Sequence, residues 1–298
     1  MSLSVGGGRL GLPIRLARAT LQARNFYKTE KIDLVVGTGG RTSVPAAVAA
    51  RCLGVPLFLL EQNVVVGRAN RLLTHLAERI YYGLPPQRLV RQGVLTGSPL
   101  AKGIGSVGRA EARHRLDLPI DSTVVFVTGG SQGAEVLNRC VPDALASFGR
   151  ELHVLHLAGE GRDEGVRARY SSESITAFVS ALEHDMADFY AAADLVICRG
   201  GGGTVAELMA SGRASVIVPY PYHRDRQQWH NGRVLEAAGA ARLCEEVEVA
   251  RGGLADLVGP ILADPKLRRD MESRAHSLAP DNACERIISD MTLVGALD

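Results

Sequence analysis

The sequence predicts an α/β fold built on parallel sheets, and three observations support this prediction. The chain has 298 residues, which favours two domains, or one large α/β domain, over a small module. Its 46% of apolar and 22% of charged residues are typical of a folded globular protein. Several short β-branched runs are each followed by a glycine turn and a helix-like segment, which is the pattern of βαβ units.

Nine strands are predicted along the chain, with helices after most of them and one more helix near the C-terminus. The strands are Leu34–Gly37, Pro56–Leu60, Arg79–Tyr82, Val124–Thr128, Leu152–Leu157, Ile175–Phe178, Leu195–Cys198, Ser215–Pro219 and Ala241–Cys244. A stretch rich in glycine and mixed charge precedes the fourth strand, which is typical of a linker. We therefore predict a first domain at 1–105, a linker at 106–121, a second domain at 122–280 and a C-terminal helix at 281–298.

The net charge changes sign between the two parts of the chain. Residues 1–105 hold 14 lysines and arginines against 4 acids, whereas the remainder holds 20 against 28. The net +10 of the first part favours an anionic partner: nucleic acid, anionic lipid or a phosphorylated substrate. In that part, residues 11–28 are predicted to form a basic amphipathic helix, which either packs on the sheet or lies against anionic lipid.

Cysteine spacing and hydropathy indicate the redox environment of the protein and the kind of membrane contact it can make. The five cysteines are dispersed without a C-x-x-C pair, which favours a reduced, cytosolic setting over a disulfide framework. No uncharged apolar stretch reaches the roughly 20 residues that span a bilayer, and the first residues lack a signal-peptide core. Any membrane contact is therefore expected at the surface of the bilayer.

Two glycine-rich turns follow predicted strands and open helices. The turn at 129–134 offers backbone N–H groups and the Ser131 hydroxyl, which suit a phosphate, although tight packing of strand on helix also selects glycine. The turn at 199–203 is followed one helical turn later by Glu207. That carboxylate either accepts hydrogen bonds from a diol such as a ribose or interacts with the macrodipole at a helix start.

Polar loops also follow other predicted strands. Residues 219–231 are rich in hydrogen-bond donors, and the neutral amides of Gln227 and Gln228 suit sugar hydroxyls. In the first part, residues 37–41 and 61–63 also follow strands. Because open α/β sheets bind ligands at the carboxyl ends of their strands, two such half-domains predict a cleft between them.

Several other chemistries are disfavoured. No two aspartates are separated by a single residue, so the D-x-D pattern that holds a metal under a nucleotide diphosphate is missing, and we expect neither a metal nor a cofactor. His153 and His156 lie in or beside a strand and are predicted to be structural. Ser131 lacks the G-x-S-x-G context of a hydrolase nucleophile. Neither glycine turn gives the full G-x-G-x-x-G fingerprint of a nicotinamide oxidoreductase.

Six segments, in their order and spacing, resemble the MurG family of N-acetylglucosaminyltransferases in peptidoglycan synthesis. They are GTGGRTSVPAAVAA (37–50), EQNVVVGRANRLL (61–73), TGSP (96–99), TGGSQGAEVLN (128–138), CRGGGGTVAELMASG (198–212) and HRDRQQWHNGRVLEAAGAA (223–241). The combination of GGSQGA, TVAE and DRQQ is more specific than a glycine loop alone. The resemblance implies a GT-B architecture, in which two Rossmann-like domains face a cleft, an inverting and metal-independent transfer, and peripheral attachment to the cytoplasmic face of the cell membrane.

The resemblance also implies a role for each matching residue. The donor UDP-GlcNAc would contact Ser131 through its diphosphate, Glu207 through its ribose and the two glutamines through its sugar; the full donor set is Asn63, Ser131, Gly202, Gly203, Thr204, Val205, Ala206, Glu207, Gln227 and Gln228. The acceptor side would comprise Gly37, Thr38, Gly39, Gly40 and Glu61. The expected partners are UDP-GlcNAc, the undecaprenyl-diphosphate-linked muramoyl peptide and an anionic membrane surface met by the helix at 11–28, and no nucleic acid.

The chain departs from the family pattern at two places. The family opens with a strand and a GGTGGH loop that contains the histidine often proposed as catalytic, and this sequence lacks that segment, so we expect an N-terminally truncated first domain. The general base is not assigned: candidates would come from that missing segment or from the acceptor side near Glu61. Where the family has an arginine two residues after the proline of its G-N-P turn, Pro99 is followed by Leu100 and Ala101, and Lys102 is a candidate substitute.

We therefore predict a hexosyltransferase that moves N-acetylglucosamine from UDP-GlcNAc to the muramoyl 4-hydroxyl of the lipid-linked acceptor, which converts lipid I to lipid II. The alternative is a catalytically inactive, truncated protein that binds nucleotide sugar and membrane.

Overall fold

The structure is a computed structural model that describes residues 12–148 and 152–297. By their internal contacts the residues form two compact units: the first ends at Pro99 and resumes at Pro280, and the second is Leu100–Ala279. Each unit contains one sheet whose paired strands all run parallel. The predicted α/β class with two Rossmann-like parallel-sheet domains is confirmed.

The sheet of the first unit has the strand order β1-β2-β3-β4. Its strands and first helices are α1 (Leu12–Thr29), β1 (Val35–Gly37), α2 (Ser43–Leu53), β2 (Leu57–Glu61), α3 (Arg68–Leu73), β3 (Arg79–Tyr82) and β4 (Gly93–Leu95), with a 3-10 turn at Thr74–Leu76. Along β2, Leu57 and Leu59 pack with Ala47 of α2, whereas Phe58 lies in a separate apolar cluster with Tyr81. The alternation follows from the two-residue period of a strand.

The sheet of the second unit has the order β10-β9-β8-β5-β6-β7. Its elements are α4 (Arg109–Arg115), β5 (Thr123–Thr128), α5 (Glu135–Leu145), β6 (Leu152–Leu157), α6 (Asp163–Ser172), β7 (Thr176–Ser180), α7 (Met186–Ala192), β8 (Leu195–Cys198), α8 (Gly202–Ser211), β9 (Ser215–Ile217), α9 (Gln227–Ala237), β10 (Ala241–Leu243), α10 (Glu246–Ala250), α11 (Leu254–Ala263) and α12 (Pro265–Ser277), with a 3-10 turn at Ala146–Phe148. The central strands are buried on both faces, which explains their near-continuous apolar sequence.

The segment at 106–121, predicted as a linker, is folded onto the second unit and contains α4. Arg113 of α4 is buried and donates a hydrogen bond to the carboxylate of Asp194 at 2.7 Å. Gly105 has a φ of +80°, and a Cβ there would lie 2.5 Å from the carbonyl oxygen of Ala210. The structure thus differs from the predicted boundary at 105, because the glycines of this stretch permit close packing.

The C-terminal helix, α13 (Ala283–Leu293), belongs to the first unit. Its Ile287 and Met291 pack against Phe58 and Tyr81 of the first sheet. Asp290 of the same helix accepts a hydrogen bond from the Tyr81 hydroxyl at 2.9 Å and pairs with Arg79 at 3.1 Å. The helix therefore covers the face of the first sheet that α2 leaves open.

A buried polar network occupies the core of the second unit. The Nε2–H of His156 donates to Asn138 Oδ1 at 3.0 Å, and its Nδ1 accepts from the Tyr170 hydroxyl at 2.8 Å. This tautomer follows because the Asn138 amide nitrogen donates to the carbonyl of Ala158, which leaves its oxygen facing the ring. Burial lowers the pKa of His156 to about 3, so the ring is neutral in the folded protein.

We expect the second unit to lose stability as the pH falls below 6.5. Because the ring of His156 has a pKa of about 6.5 in the unfolded chain and about 3 when folded, protonation favours unfolding throughout that window. Urea unfolding should be followed by the fluorescence of Trp229, the single tryptophan of the sequence, which lies in this unit. Between pH 6 and 4, the free energy of unfolding should fall about 1.4 kcal/mol per pH unit more steeply for the wild type than for His156→Gln. If the free energy of unfolding fell equally steeply with pH in both proteins, His156 would not be the group responsible for the loss of stability.

Candidate active site

In the second unit, three loops leave the carboxyl ends of the neighbouring strands β5, β8 and β9. From β5 the chain continues to β6 and β7 on one side of the sheet, whereas β8 returns to pair with the other side of β5. The strand order therefore reverses between β5 and β8. Ligands of open α/β sheets bind at such a reversal, which makes these loops the candidate site.

The loop after β5 requires glycine for packing and also presents an open surface. A Cβ on Gly129 would lie 2.2 Å from the backbone nitrogen of Ala134, and one on Gly133, whose φ is +67°, would lie 2.1 Å from the carbonyl oxygen of Ala158. Gly130 has a φ of +80° and has open space where its Cβ would be. The packing interpretation of this glycine turn therefore holds for Gly129 and Gly133, whereas phosphate binding by the turn stays a prediction.

Ser131 lies at the exposed tip of the same loop, four residues before α5 begins at Glu135. The N–H groups in the first turn of a helix have no partner within that helix and carry a partial positive charge. Together with the Ser131 hydroxyl, the loop can bind an anionic group such as a phosphate.

The glycines after β8 allow α9 to approach the start of α8. A Cβ on Gly200 would lie 2.2 Å from the carbonyl oxygen of Gln228, and the Asn231 side chain donates to the carbonyl of Gly200 at 3.0 Å. Gly201 caps α8, which begins at Gly202. This loop is thus fixed against α9, the helix that contains both predicted sugar-binding glutamines.

Glu207 lies beyond the first turn of α8, which contains no acidic residue. The alternative in which Glu207 interacts with the helix macrodipole is therefore wrong. Its Oε2 accepts a hydrogen bond from the hydroxyl of the buried Tyr190 of α7 at 2.8 Å. Burial raises the pKa of the Glu207 carboxyl, and the hydrogen bond from Tyr190 opposes this by stabilising the charged form. Tyr190 thereby fixes the carboxylate and occupies one of its two oxygens.

A cavity of about 640 Å³ lies at this edge of the second sheet, which is the size of many ligand pockets. Its lining brings together the first glycine loop with Ser131, the Arg162 and Arg199 side chains, the loop after β9, and Gln228. The side-chain oxygen of Gln228 accepts from the backbone N–H of Tyr220 at 2.9 Å, which leaves the amide nitrogen as its donor. Within residues 12–148 and 152–297, no group of three or more His, Cys, Asp or Glu side chains is placed to hold a metal ion.

Arg199 organises the wall of this cavity. It is buried, donates to the carbonyl oxygens of Val218 and Pro219 at 3.1 and 3.3 Å, and lies 2.7 Å from a carboxylate oxygen of Glu246 as an ion pair without hydrogen-bond alignment. Its guanidinium also lies 5.6 Å from the centre of the Tyr220 ring. Arg199 therefore joins the loop after β9 to α10.

In the first unit, the predicted acceptor-side glycines form a turn between β1 and α2. Gly39 and Gly40 have φ values of +89° and +81°, a conformation that glycine adopts without strain. The Ser43 hydroxyl donates to the carbonyl of Gly39 and fixes the turn at the start of α2. Gly37 and Thr38 line a neighbouring cavity of about 440 Å³.

Glu61 is buried and shapes the loop that follows β2. One carboxylate oxygen accepts from the backbone and side-chain nitrogens of Asn63 at 3.1 and 3.0 Å, and the other accepts from Gly67 N–H at 2.8 Å and from the Asn70 amide at 3.0 Å. Four hydrogen bonds use most of the acceptor capacity of a carboxylate. The geometry thus gives Glu61 a positioning role for Asn63.

Comparison with known proteins gives agreement along most of the chain. Residues 4–82 match the glycosyltransferase family 28 N-terminal domain, and residues 124–286 match the glycosyltransferase family 28 C-terminal domain. A relative from Acidithiobacillus ferrooxidans, named UDP-N-acetylglucosamine--N-acetylmuramyl-(pentapeptide) pyrophosphoryl-undecaprenol N-acetylglucosamine transferase, is 37% identical over 281 residues, which are 93% of this chain and 77% of the relative. The chain belongs to glycosyltransferase family 28, in its MurG group.

Further relatives agree with this membership of family 28. A protein of the same name from Idiomarina loihiensis is 36% identical over 95% of this chain and 78% of its own length. The crystal structure of Acinetobacter baumannii MurG has a TM-score of 0.78 at 30% identity and covers 96% of this chain and 82% of that one. The UDP-GlcNAc 2-epimerase of Neisseria meningitidis, at 12% identity and a TM-score of 0.64 over 98% and 84% of the two chains, shares the fold alone.

The structure of this family 28 chain brings some predicted residues together and places others apart. Ser131 and Gln228 line one cavity, whereas Glu207 and Gln227 are not among its lining residues. Lys102, the candidate substitute for the family arginine, is exposed and lies in the second unit, beyond the first unit's end at Pro99. Arg199 was not predicted as a site residue, although its position directly after a buried strand is a usable signal.

Proposed function

We propose that this chain transfers N-acetylglucosamine from UDP-GlcNAc to the muramoyl 4-hydroxyl of the undecaprenyl-diphosphate-linked muramyl pentapeptide, with inversion at the anomeric carbon. The observation that carries the proposal is the cavity at the strand reversal of the second sheet, where a phosphate-type loop meets the amide of Gln228. The names of the relatives supply the donor sugar and the acceptor.

In this proposal the second unit binds the donor. The diphosphate lies against the N–H groups and hydroxyl of the loop at Ser131, and the ribose hydroxyls donate to Glu207. The sugar hydroxyls contact Gln228 and Gln227. The residues expected to form a nucleotide loop, Gly202, Gly203, Thr204, Val205 and Ala206, are instead the first residues of α8, and the proposal places the nucleotide against this helix start.

The reaction is a single displacement. The acceptor oxygen forms a bond to the anomeric carbon, the bond from that carbon to the diphosphate oxygen breaks, and UDP leaves with the electron pair. The hydroxyl proton passes to a general base that we leave unassigned, because the carboxylate of Glu61 is already bound by four donors. Negative charge grows on the leaving diphosphate, and preorganised N–H donors near Ser131 stabilise it in the transition state.

The first unit binds the lipid-linked acceptor in this proposal. The turn at Gly37, Thr38, Gly39 and Gly40 precedes α2, and N–H groups at a helix start suit the acceptor diphosphate. Glu61 acts there by shaping the loop that contains Asn63.

We further propose that α1 attaches the protein peripherally to the cytoplasmic face of the cell membrane. Its Ala19 and Ala23 are buried, and α1 packs on α2, whereas Ile14 and Leu21 are 75% and 58% exposed. Ile14, Arg18, Leu21 and Lys28 recur at helical spacing on one exposed stripe. No helix of the described residues is long and apolar enough to cross a bilayer. An apolar stripe with cationic neighbours suits an anionic lipid surface.

The double variant Ile14→Ser/Leu21→Ser should bind phosphatidylglycerol vesicles at least tenfold more weakly than the wild type, because each buried aliphatic side chain contributes about 1.5–3 kcal/mol. Co-sedimentation with vesicles measures the affinity. Val247→Ser, which removes another half-exposed apolar side chain in the second unit, should leave it unchanged. Vesicle binding that survives the double change would contradict a membrane role for α1.

The transfer itself is tested with the full chain, radiolabelled UDP-GlcNAc and purified lipid-linked muramyl pentapeptide. We expect a labelled disaccharide lipid and one UDP released for each sugar transferred. Gln228→Ala should lower kcat/KM, and the Gln92→Ala variant, altered in the first unit, serves as the matched control. If the chain binds UDP-GlcNAc and forms no disaccharide lipid, the binding-only alternative replaces the proposal.

A further inference from the structure

A second cavity, of about 660 Å³, lies in the first unit beside the loop that follows β2. Its apolar lining comes from Val64–Val66 on that loop and from Leu89 and Val90 on the loop between β3 and β4. The backbone N–H of Gln87 donates to the carbonyl of Val64 at 3.1 Å and joins the two loops. The volume is within the range of small-ligand sites.

The same cavity is strongly cationic. Arg71, Arg88 and Arg91 line it together with His75, and no acidic residue is among its lining residues. Within the described part of the chain, none of these three arginines forms an ion pair with a carboxylate; Arg71 donates to the carbonyl of Val66 at 3.2 Å. Guanidinium groups without carboxylate partners favour an anionic ligand, because Arg pairs with carboxylate through two parallel hydrogen bonds.

A buried tyrosine with an unpaired hydroxyl is among the residues that line the cavity. Tyr82, the last residue of β3, lines the cavity and is fully buried, and its hydroxyl oxygen has no hydrogen-bond partner among the described residues. The backbone of Val90 is a polar neighbour but makes no aligned hydrogen bond to it. A buried hydroxyl left unpaired is destabilising, so it suits a ligand that brings a polar group.

The cavity adjoins the acceptor side of the proposed site. Val64–Val66 follow Asn63 directly, and the carboxylate of Glu61 closes this loop by accepting from both Asn63 and the N–H of Gly67. The second cavity therefore lies next to the proposed acceptor side, on the same loop after β2.

We propose that this cavity binds the peptide of the acceptor, with a peptide carboxylate paired to Arg88 and Arg91 and apolar side chains against Val64–Val66. The inference rests on the proposed function, since the acceptor named for the relatives carries a pentapeptide. A pentapeptide has a terminal carboxylate and backbone amides, which match guanidinium groups and an unpaired hydroxyl. An acyl chain of a lipid would leave both unsatisfied.

The test uses the full chain and a fluorescent N-acetylmuramyl pentapeptide without lipid, with binding read by anisotropy. Arg88→Gln/Arg91→Gln should weaken binding about tenfold or more, and amidation of the peptide terminus should weaken binding to the wild type by a similar factor. Tyr82→Phe should weaken it a few-fold without lowering the melting temperature. Arg51→Gln, which removes an exposed positive charge on α2, is the matched control and should have no effect.

Binding is measured without turnover, so the result is separate from the outcome of the transfer assay. Equal affinity of wild type and double variant for the labelled peptide would overturn the proposal. So would loss of binding to phosphatidylglycerol vesicles in the double variant with unchanged peptide affinity, which would assign the arginines to lipid. If transfer occurs with equal KM for acceptors with and without the pentapeptide, the peptide site fails while the transferase function stands.

Discussion

Replacing Glu207 by alanine should weaken UDP binding about 100-fold. In the proposed complex the Glu207 carboxylate accepts a hydrogen bond from each of the two ribose hydroxyls. Hydrogen bonds to charged groups contribute about 1.5–3 kcal/mol each to the binding free energy. Calorimetric titration of the full chain with UDP measures the loss. Because the hydroxyl of Tyr190 fixes the carboxylate at 2.8 Å, Tyr190→Phe should produce a smaller loss of a few-fold.

The ribose contact has its own control. The wild type should bind 2′,3′-dideoxyuridine diphosphate about as weakly as Glu207→Ala binds UDP. The Glu207→Ala variant should bind the two nucleotides with equal affinity. If Glu207→Ala keeps the wild-type preference for UDP, the ribose is bound elsewhere. Gln132→Ala, on the exposed loop that would bind the diphosphate, should keep the wild-type preference for UDP over the dideoxy nucleotide, which tests whether the preference depends on Glu207 in particular.

Replacing Asp194 by alanine should lower the free energy of unfolding of the second unit by about 3–5 kcal/mol. Its Oδ2 accepts from Arg113 at 2.7 Å and from the backbone N–H of Val124 at 2.8 Å. Without the carboxylate, the Arg113 side chain, which is 5% exposed, remains buried without its charged partner. Urea unfolding followed by Trp229 fluorescence measures the change.

The matched control for Asp194 is Asp143→Ala. Asp143 pairs with Arg169 at 3.6 Å with both side chains exposed, so its loss should change the free energy of unfolding by less than about 1 kcal/mol. If both variants lost similar free energies of unfolding, burial of Arg113 would not be the cause of the large effect expected for Asp194→Ala.

Local patterns predicted much of the fold because β-branched runs bounded by glycine describe buried parallel strands well. Each of the nine predicted strands has an observed strand within about two residues of its limits. The strand Gly93–Leu95 was missed because it follows a loop without a strong apolar pattern. The placement of α13 on the first sheet depends on contacts such as Tyr81 with Asp290, which no local pattern contains.

Residues of the candidate site were predictable from the sequence where a close backbone approach requires glycine. The glycines at 129 and 133 are such residues, since a Cβ at either position would clash with backbone atoms. The role of Glu61 was not predictable, because its four donors lie at positions 63, 67 and 70 and meet only in the folded loop. The cationic cavity was missed for the same reason, since Arg71 and Arg88 are brought together by folding.

The discontinuity of the first unit has a consequence for protein synthesis. The ribosome releases the strands of the first sheet early, but α13, which packs against Phe58 and Tyr81, emerges only after the whole second unit. The second unit, Leu100–Ala279, is one continuous segment and can fold as soon as it emerges, because domains generally fold as units during translation. One face of the first sheet, including Phe58, therefore stays uncovered until α13 has been synthesised, and nascent chains stalled before residue 283 should be the form that chaperones recognise.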